Sequence, residues 1–136
     1  MAITFVTRPG SSAEWQPPQE PEMWQQVRQT LQSEGMIAES TWIFFGSLEN
    51  DTTLAAEYLS NPRATDNGTA FDGLLLLKRS QTKEGTPPGW TTRPLSMRAI
   101  CSEGRLERQE ADGAWTDYSG RPDTAAKVSW ICQQDR

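Results

Sequence analysis

The chain has 136 residues, enough for a single domain with a real core, and 18 acidic residues against 13 basic ones give it a net charge of −5. Lys78-Arg79 is its densest basic pair, so it lacks the positive stripe that dominates nucleic-acid binding, and anionic membrane surfaces are disfavoured. No apolar run approaches the roughly 20 residues of a membrane span, and two cysteines without any histidine are too few for a zinc site.

In chain order, residues 2–7 read as a short strand built on Ile3, Phe5 and Val6. They lack the basic start and long apolar stretch of a signal peptide. The protein is therefore expected either in the cytoplasm or outside it with a signal already removed. Residues 8–20 form a loop, broken by Pro9-Gly10 and stiffened by Pro17-Pro18. Residues 21–34 give the clearest helix. Pro21 suits its first turn, Glu20 and Glu22 suit the positive end of its dipole, and Gly35 stops it. Met23, Trp24, Val27 and Leu31 recur at helical spacing and should face a core.

From Thr41 the period changes. Thr41-Trp42-Ile43-Phe44-Phe45 is β-branched and aromatic, as strands are. Residues 54–59 are readable as strand or as a helical turn. Asn61-Pro62 and Asp66-Asn67-Gly68 mark a loop and a tight turn. Residues 69–80 form the next strand, whose Leu74 to Leu77 run suggests burial on both faces. After a polar loop over 81–89, strands are expected over 91–102, 105–110 and 114–118, separated by Glu103-Gly104 and Asp112-Gly113 turns. Residues 124–132 alternate as a strand would, yet Pro122-Asp123 resembles a helix start, which favours a short helix. The expected fold is α+β: a small antiparallel meander with an N-terminal helix packed on it and a short C-terminal helix. One domain should cover residues 1–136, with a strand, Pro-rich loop and helix in 1–40 and the sheet in 41–136.

The residues that carry most chemistry are missing. Without histidine there is no Ser-His-Asp triad and no Cys-His pair. No glycine-rich loop opens a helix as phosphate and dinucleotide sites require. Asp112 and Asp117 flank Trp115 near a hairpin, and paired carboxylates beside an aromatic can cleave glycosides; solvated turn residues are the simpler reading. No catalytic residue, metal ligand or cofactor is assigned. The alternative is a small-ligand binder or an enzyme using loop carboxylates. Tryptophan is the distinctive residue, and exposed tryptophans anchor protein interfaces. Trp24, Trp42 and Trp130 lie on apolar patterns and belong to the core. Trp15 and Trp90 lie in Pro-rich loops and Trp115 beside a turn, which makes these three the candidates for binding a protein partner. The cysteines alone leave open one disulfide or two buried thiols.

The stretch from Thr41 to Cys132 resembles the surface-adhesin protein E family of bacteria. The resemblance rests on the tryptophan-bearing strand Thr41-Trp42-Ile43-Phe44-Phe45-Gly46, then Glu57-Tyr58-Leu59-Ser60 and a strand over 74–80. It continues through Ser96-Met97-Arg98-Ala99-Ile100-Cys101-Ser102-Glu103-Gly104, Tyr118 and Lys127-Val128-Ser129-Trp130-Ile131-Cys132. Ser60 stands where an aspartate is usual, and residues 1–40 have no counterpart. The resemblance implies an antiparallel sheet with a packed helix, used to bind proteins rather than for catalysis. It also implies an extracytoplasmic location and a disulfide between Cys101 and Cys132. The same features suit an accessory subunit of a larger assembly.

Overall fold

The computed structural model describes residues 15–80, 89–120 and 122–134. The strand expected over 2–7, and most of the loops expected over 8–20 and 81–89, lie outside the described residues. The fold is α+β. Helix α1 (Glu22–Ser33) precedes strands β1 (Ile43–Glu49), β2 (Thr53–Thr65), β3 (Gly68–Arg79), β4 (Thr91–Ile100), β5 (Arg105–Gln109) and β6 (Trp115–Asp117), and helix α2 (Thr124–Ile131) follows. The strands form one antiparallel meander in the order β1-β2-β3-β4-β5-β6. Among the described residues no helix is long and apolar enough to cross a membrane.

The chain divides into two compact units. One comprises Pro17–Asn61 and Asp72–Leu95; the other comprises Met1–Gln16, Pro62–Phe71 and Ser96–Arg136. Strand β3 contributes residues to both units. Its buried positions are Thr69, Phe71 and Gly73 at first, then Leu74 and Leu76, so the buried parity switches along the strand. Leu75 and Leu77 are half-buried, so the leucine run is fully enclosed on one face only.

The first unit is built around α1. Pro21 is the N-cap, and its carbonyl accepts the first helical bond from the amide of Gln25 at 2.9 Å. At the other end Gly35 takes φ +77°, which only glycine adopts without strain, and the amide of Met36 closes onto the carbonyl of Leu31. Trp24 and Leu31 are buried with Ile37, Phe44, Ala56, Tyr58, Leu74 and Leu76, while Val27, Trp42, Leu54 and Trp90 pack on the rim. Met23, expected on the same stripe, is 42% exposed. It sits about 100° round the helix from Trp24, on the side of Val27, which is itself only half-buried.

The ambiguous residues 54–59 are strand, because β2 pairs with β1 from Glu49↔Leu54 to Ile43↔Leu59 across a bulge between Phe44 and Gly46. Asn61-Pro62, expected in a loop, lies inside β2. Asn61 takes φ +56°, a left-handed conformation that asparagine tolerates. Pro62 falls beyond Leu59, where no β1 residue needs its missing N–H.

In the second unit, α2 packs on β5 and buries Val128 and Ile131. The helical reading of 124–131 therefore holds. Gly68 opens β3 against the backbone of β4, and a Cβ there would overlap the carbonyl oxygen of Ala99. Backbone gives way less easily than a side chain, so Gly68→Ala is expected to cost about 1–3 kcal/mol. Urea unfolding of the variant measures this, and an unchanged midpoint would show that the two strands stand further apart.

Candidate functional site

Among the described residues an extended polar arrangement lies on the Ser96–Ile100 end of β4, on β5 and on β6, all within the second unit. The β4–β5 hairpin pairs Ile100↔Arg105, Ala99↔Leu106, Arg98↔Glu107 and Met97↔Arg108. The next hairpin pairs Glu107↔Asp117, Arg108↔Thr116 and Gln109↔Trp115. Side chains alternate across a pleated strand, so Met97, Ala99 and Leu106 share one face and are buried. Arg98, Arg105, Glu107, Trp115 and Asp117 share the other.

On that second face Glu107 is the hub. It accepts from Arg98 Nε at 2.6 Å and from Arg105 Nη1 at 2.9 Å. Its surroundings leave it 8% exposed. The hydrogen bond from Arg98 is the main reason its carboxyl lies below its ordinary range; burial opposes this and the bond from Arg105 adds to it. Arg105 also donates to Glu103 at 2.7 Å and stands 3.8 Å from Asp117. The Arg98 guanidinium lies over the Trp115 ring, 4.2 Å from its centroid. This is a close cation–π contact, and Arg98 makes it while bonded to Glu107. Nearby, Glu110 accepts from Arg108 at 3.0 Å and from Thr116 at 2.6 Å.

The structure separates the three candidate tryptophans. Trp115 is half-buried and stacked by Arg98. Trp15 is half-buried and meets Trp130 edge to face, with centroids 6.0 Å apart. Trp90 is half-buried against Trp24 at 5.5 Å, with Lys78 5.4 Å above its ring. Cys101 and Cys132 stand at disulfide distance, with their Cα atoms 6.1 Å apart.

Asp112 and Asp117, weighed as a catalytic pair, are each engaged in turn geometry. Asp112 accepts from the amide of Ala114 at 2.9 Å, and Asp117 from the amide of Ser119 at 3.2 Å. Hydrogen bonds from the Ser119 side chain and backbone hold Asp117 below its ordinary value. A general acid needs a raised pKa, so Asp117 is poorly placed for that role. An open depression beside the β1–β2 turn, lined by Asn50, Asp51, Thr52, Lys78 and Arg79, has a volume of about 200 Å³. That is below the roughly 300–1,000 Å³ of ligand pockets. Among the described residues no cluster of three or more His, Cys, Asp or Glu side chains could hold a metal ion.

Sequence reasoning missed Arg98, Arg105 and Glu107, although one signal for them was available. With Ile100 opposite Arg105, register pairs sum to a constant, and counting outward from the turn sets Arg98 opposite Glu107. No family model matches the chain, and no curated protein or solved structure matches it either.

Proposed function

We propose that this chain is a non-enzymatic protein-interaction domain, either surface-adhesin-like or an accessory subunit of a larger assembly, and that its partner docks on the polar face of β4–β6. The supporting observation is the stacked pair of Trp115 and Arg98, braced by Glu107. Tryptophan and arginine are the side chains most often found at interface hot spots. A pair already held in one geometry loses little further freedom when a partner arrives. Trp115 and Arg98 both remain partly accessible, and Arg105 and Asp117 at the margin are 39% and 59% exposed. This suits a polar rim around an aromatic centre. Trp15 and Trp90, each in ring contact with another tryptophan, come second to Trp115 in this reading.

Crosslinking in native extract followed by mass spectrometry identifies the partner. Trp115→Ala and Arg98→Ala are then each expected to weaken the complex by about 1–4 kcal/mol, with the circular dichroism of the free protein unchanged. Wild-type affinity in both variants would remove this face as the interface. Loss of a measured turnover in Asp117→Asn, with binding intact, would replace the interaction reading by an enzymatic one.

A further inference from the structure

We infer that the Cys101–Cys132 pair is a redox latch, whose reduction by a dithiol frees α2 from the sheet while the rest of the fold stays intact. The inference is independent of where a partner binds. Its first support is position. Cys101 lies in the exposed turn after β4, and Cys132 is the C-cap residue of α2. A bond between them ties the last turn of the helix to the β4–β5 turn, across 31 positions of sequence. Cys101 is the more exposed of the two, so a reductant reaches it without unfolding the chain.

The second support is how little else α2 has of its own. It spans eight residues, fewer than the roughly 12–15 an isolated helix needs. Its N-cap, Asp123, is left-handed at φ +61° and makes no side-chain cap bond, and no basic residue lies in the last turn. Thr124 Oγ1 donates to the carbonyl of Ser119 at 3.0 Å, which fixes the start of the helix. Its apolar packing rests on Val128 and Ile131, 1% and 0% exposed, against β5, and on the edge-to-face contact of the half-buried Trp130 with Trp15. An eight-residue element with two fully buried side chains, one ring contact and one crosslink belongs to the low-stability end of a fold, where local opening precedes global unfolding.

The exchange balances as follows. A thiolate of the dithiol attacks Cys101 Sγ, the sulfur–sulfur bond breaks, and Cys132 leaves as a thiolate that takes up a proton. The second thiol of the reductant then attacks the mixed disulfide and releases Cys101. Two electrons and two protons have passed to the protein, and the reductant departs as its own disulfide. With α2 released, Val128, Ile131 and Leu106 form an apolar surface that is closed in the oxidised state.

Hydrogen exchange read by mass spectrometry on the full chain tests this, before and after treatment with dithiothreitol in the absence of denaturant. Alkylation should count two new thiols per chain. Amides of 124–131 should then exchange at least 10-fold faster, while those of 22–33 keep their rate. Cys101→Ser, without any reductant, should reproduce the fast exchange. Three results overturn the inference: thiols that appear only in denaturant, unchanged protection of 124–131 after reduction, or parallel loss of protection in α1 and α2.

Discussion

Trp24→Ala is expected to destabilise the unit built on α1 by about 3–5 kcal/mol, the range for emptying a core aromatic site. Trp24 is 3% exposed, faces Leu31, Ile37, Phe44 and Tyr58 in one cluster, and meets Trp90 edge to face. A buried indole removes about 150–250 Å² from water. At about 25 cal/mol per Å² that is some 4–6 kcal/mol, an upper figure because unfolded chains already bury part of it. The edge-to-face contact adds a smaller amount. Trp24→Phe keeps an aromatic edge for Trp90 and should lose less than half as much. Urea unfolding at constant m-value is the measurement. A loss under about 1 kcal/mol for the alanine variant would mean that this helix face is not core.

The helix and the meander were legible because their signals are local. Trp24 and Leu31 lie seven residues apart, two helical turns, and Gly35 stops the helix in the sequence as it does in the structure. The hairpin turns at Glu103-Gly104 and Asp112-Gly113 announced β4, β5 and β6. What stayed hidden was decided by distant partners. Residues 54–59 carry no clear period, and their pairing with β1 makes them strand. Asn61-Pro62 reads as a break in any sequence, yet β2 continues through it. The stacking of Arg98 on Trp115 joins residues 17 positions apart in sequence, on β4 and β6, with β5 between them. Only the register of two hairpins together brings them side by side.

Glu20 is the clearest case of a role that sequence concealed, and it yields the second large effect. Its position before α1 suggested a partner for the helix dipole. Instead it accepts two bonds from Arg28, at 2.8 and 2.9 Å, and one from the Tyr58 hydroxyl at 2.6 Å. One carboxylate thus pins the segment before α1 to both the helix and β2. The Glu20 and Arg28 side chains are 18% and 17% exposed. Burial alone would raise the carboxyl, but the bonds from Arg28 and Tyr58 and the charge of Arg28 outweigh it and lower the pKa from 4.5. Burial, with Glu20 beside it, pushes the Tyr58 hydroxyl well above its ordinary 10, so that hydroxyl stays protonated as the donor. Removing one member of a fully buried pair costs about 3–5 kcal/mol. Glu20→Ala should cost about 2 kcal/mol, because both side chains keep some contact with water. The pH dependence has a definite sign. A carboxyl with a lowered folded pKa binds fewer protons folded than unfolded, so stability rises with pH. The contribution is fully present above about pH 5 and disappears as the pH falls through the folded value. Glu107 and Asp117 are lowered too, and they act in wild type and variant alike. The difference between wild type and Glu20→Gln therefore isolates this group. Unfolding free energies taken from about pH 7 to pH 3 should converge as acid is added, whereas Tyr58→Phe, which leaves both Arg28 bonds in place, should keep most of the wild-type slope. Parallel curves for wild type and Glu20→Gln across that range would show that Glu20 does not carry the clamp.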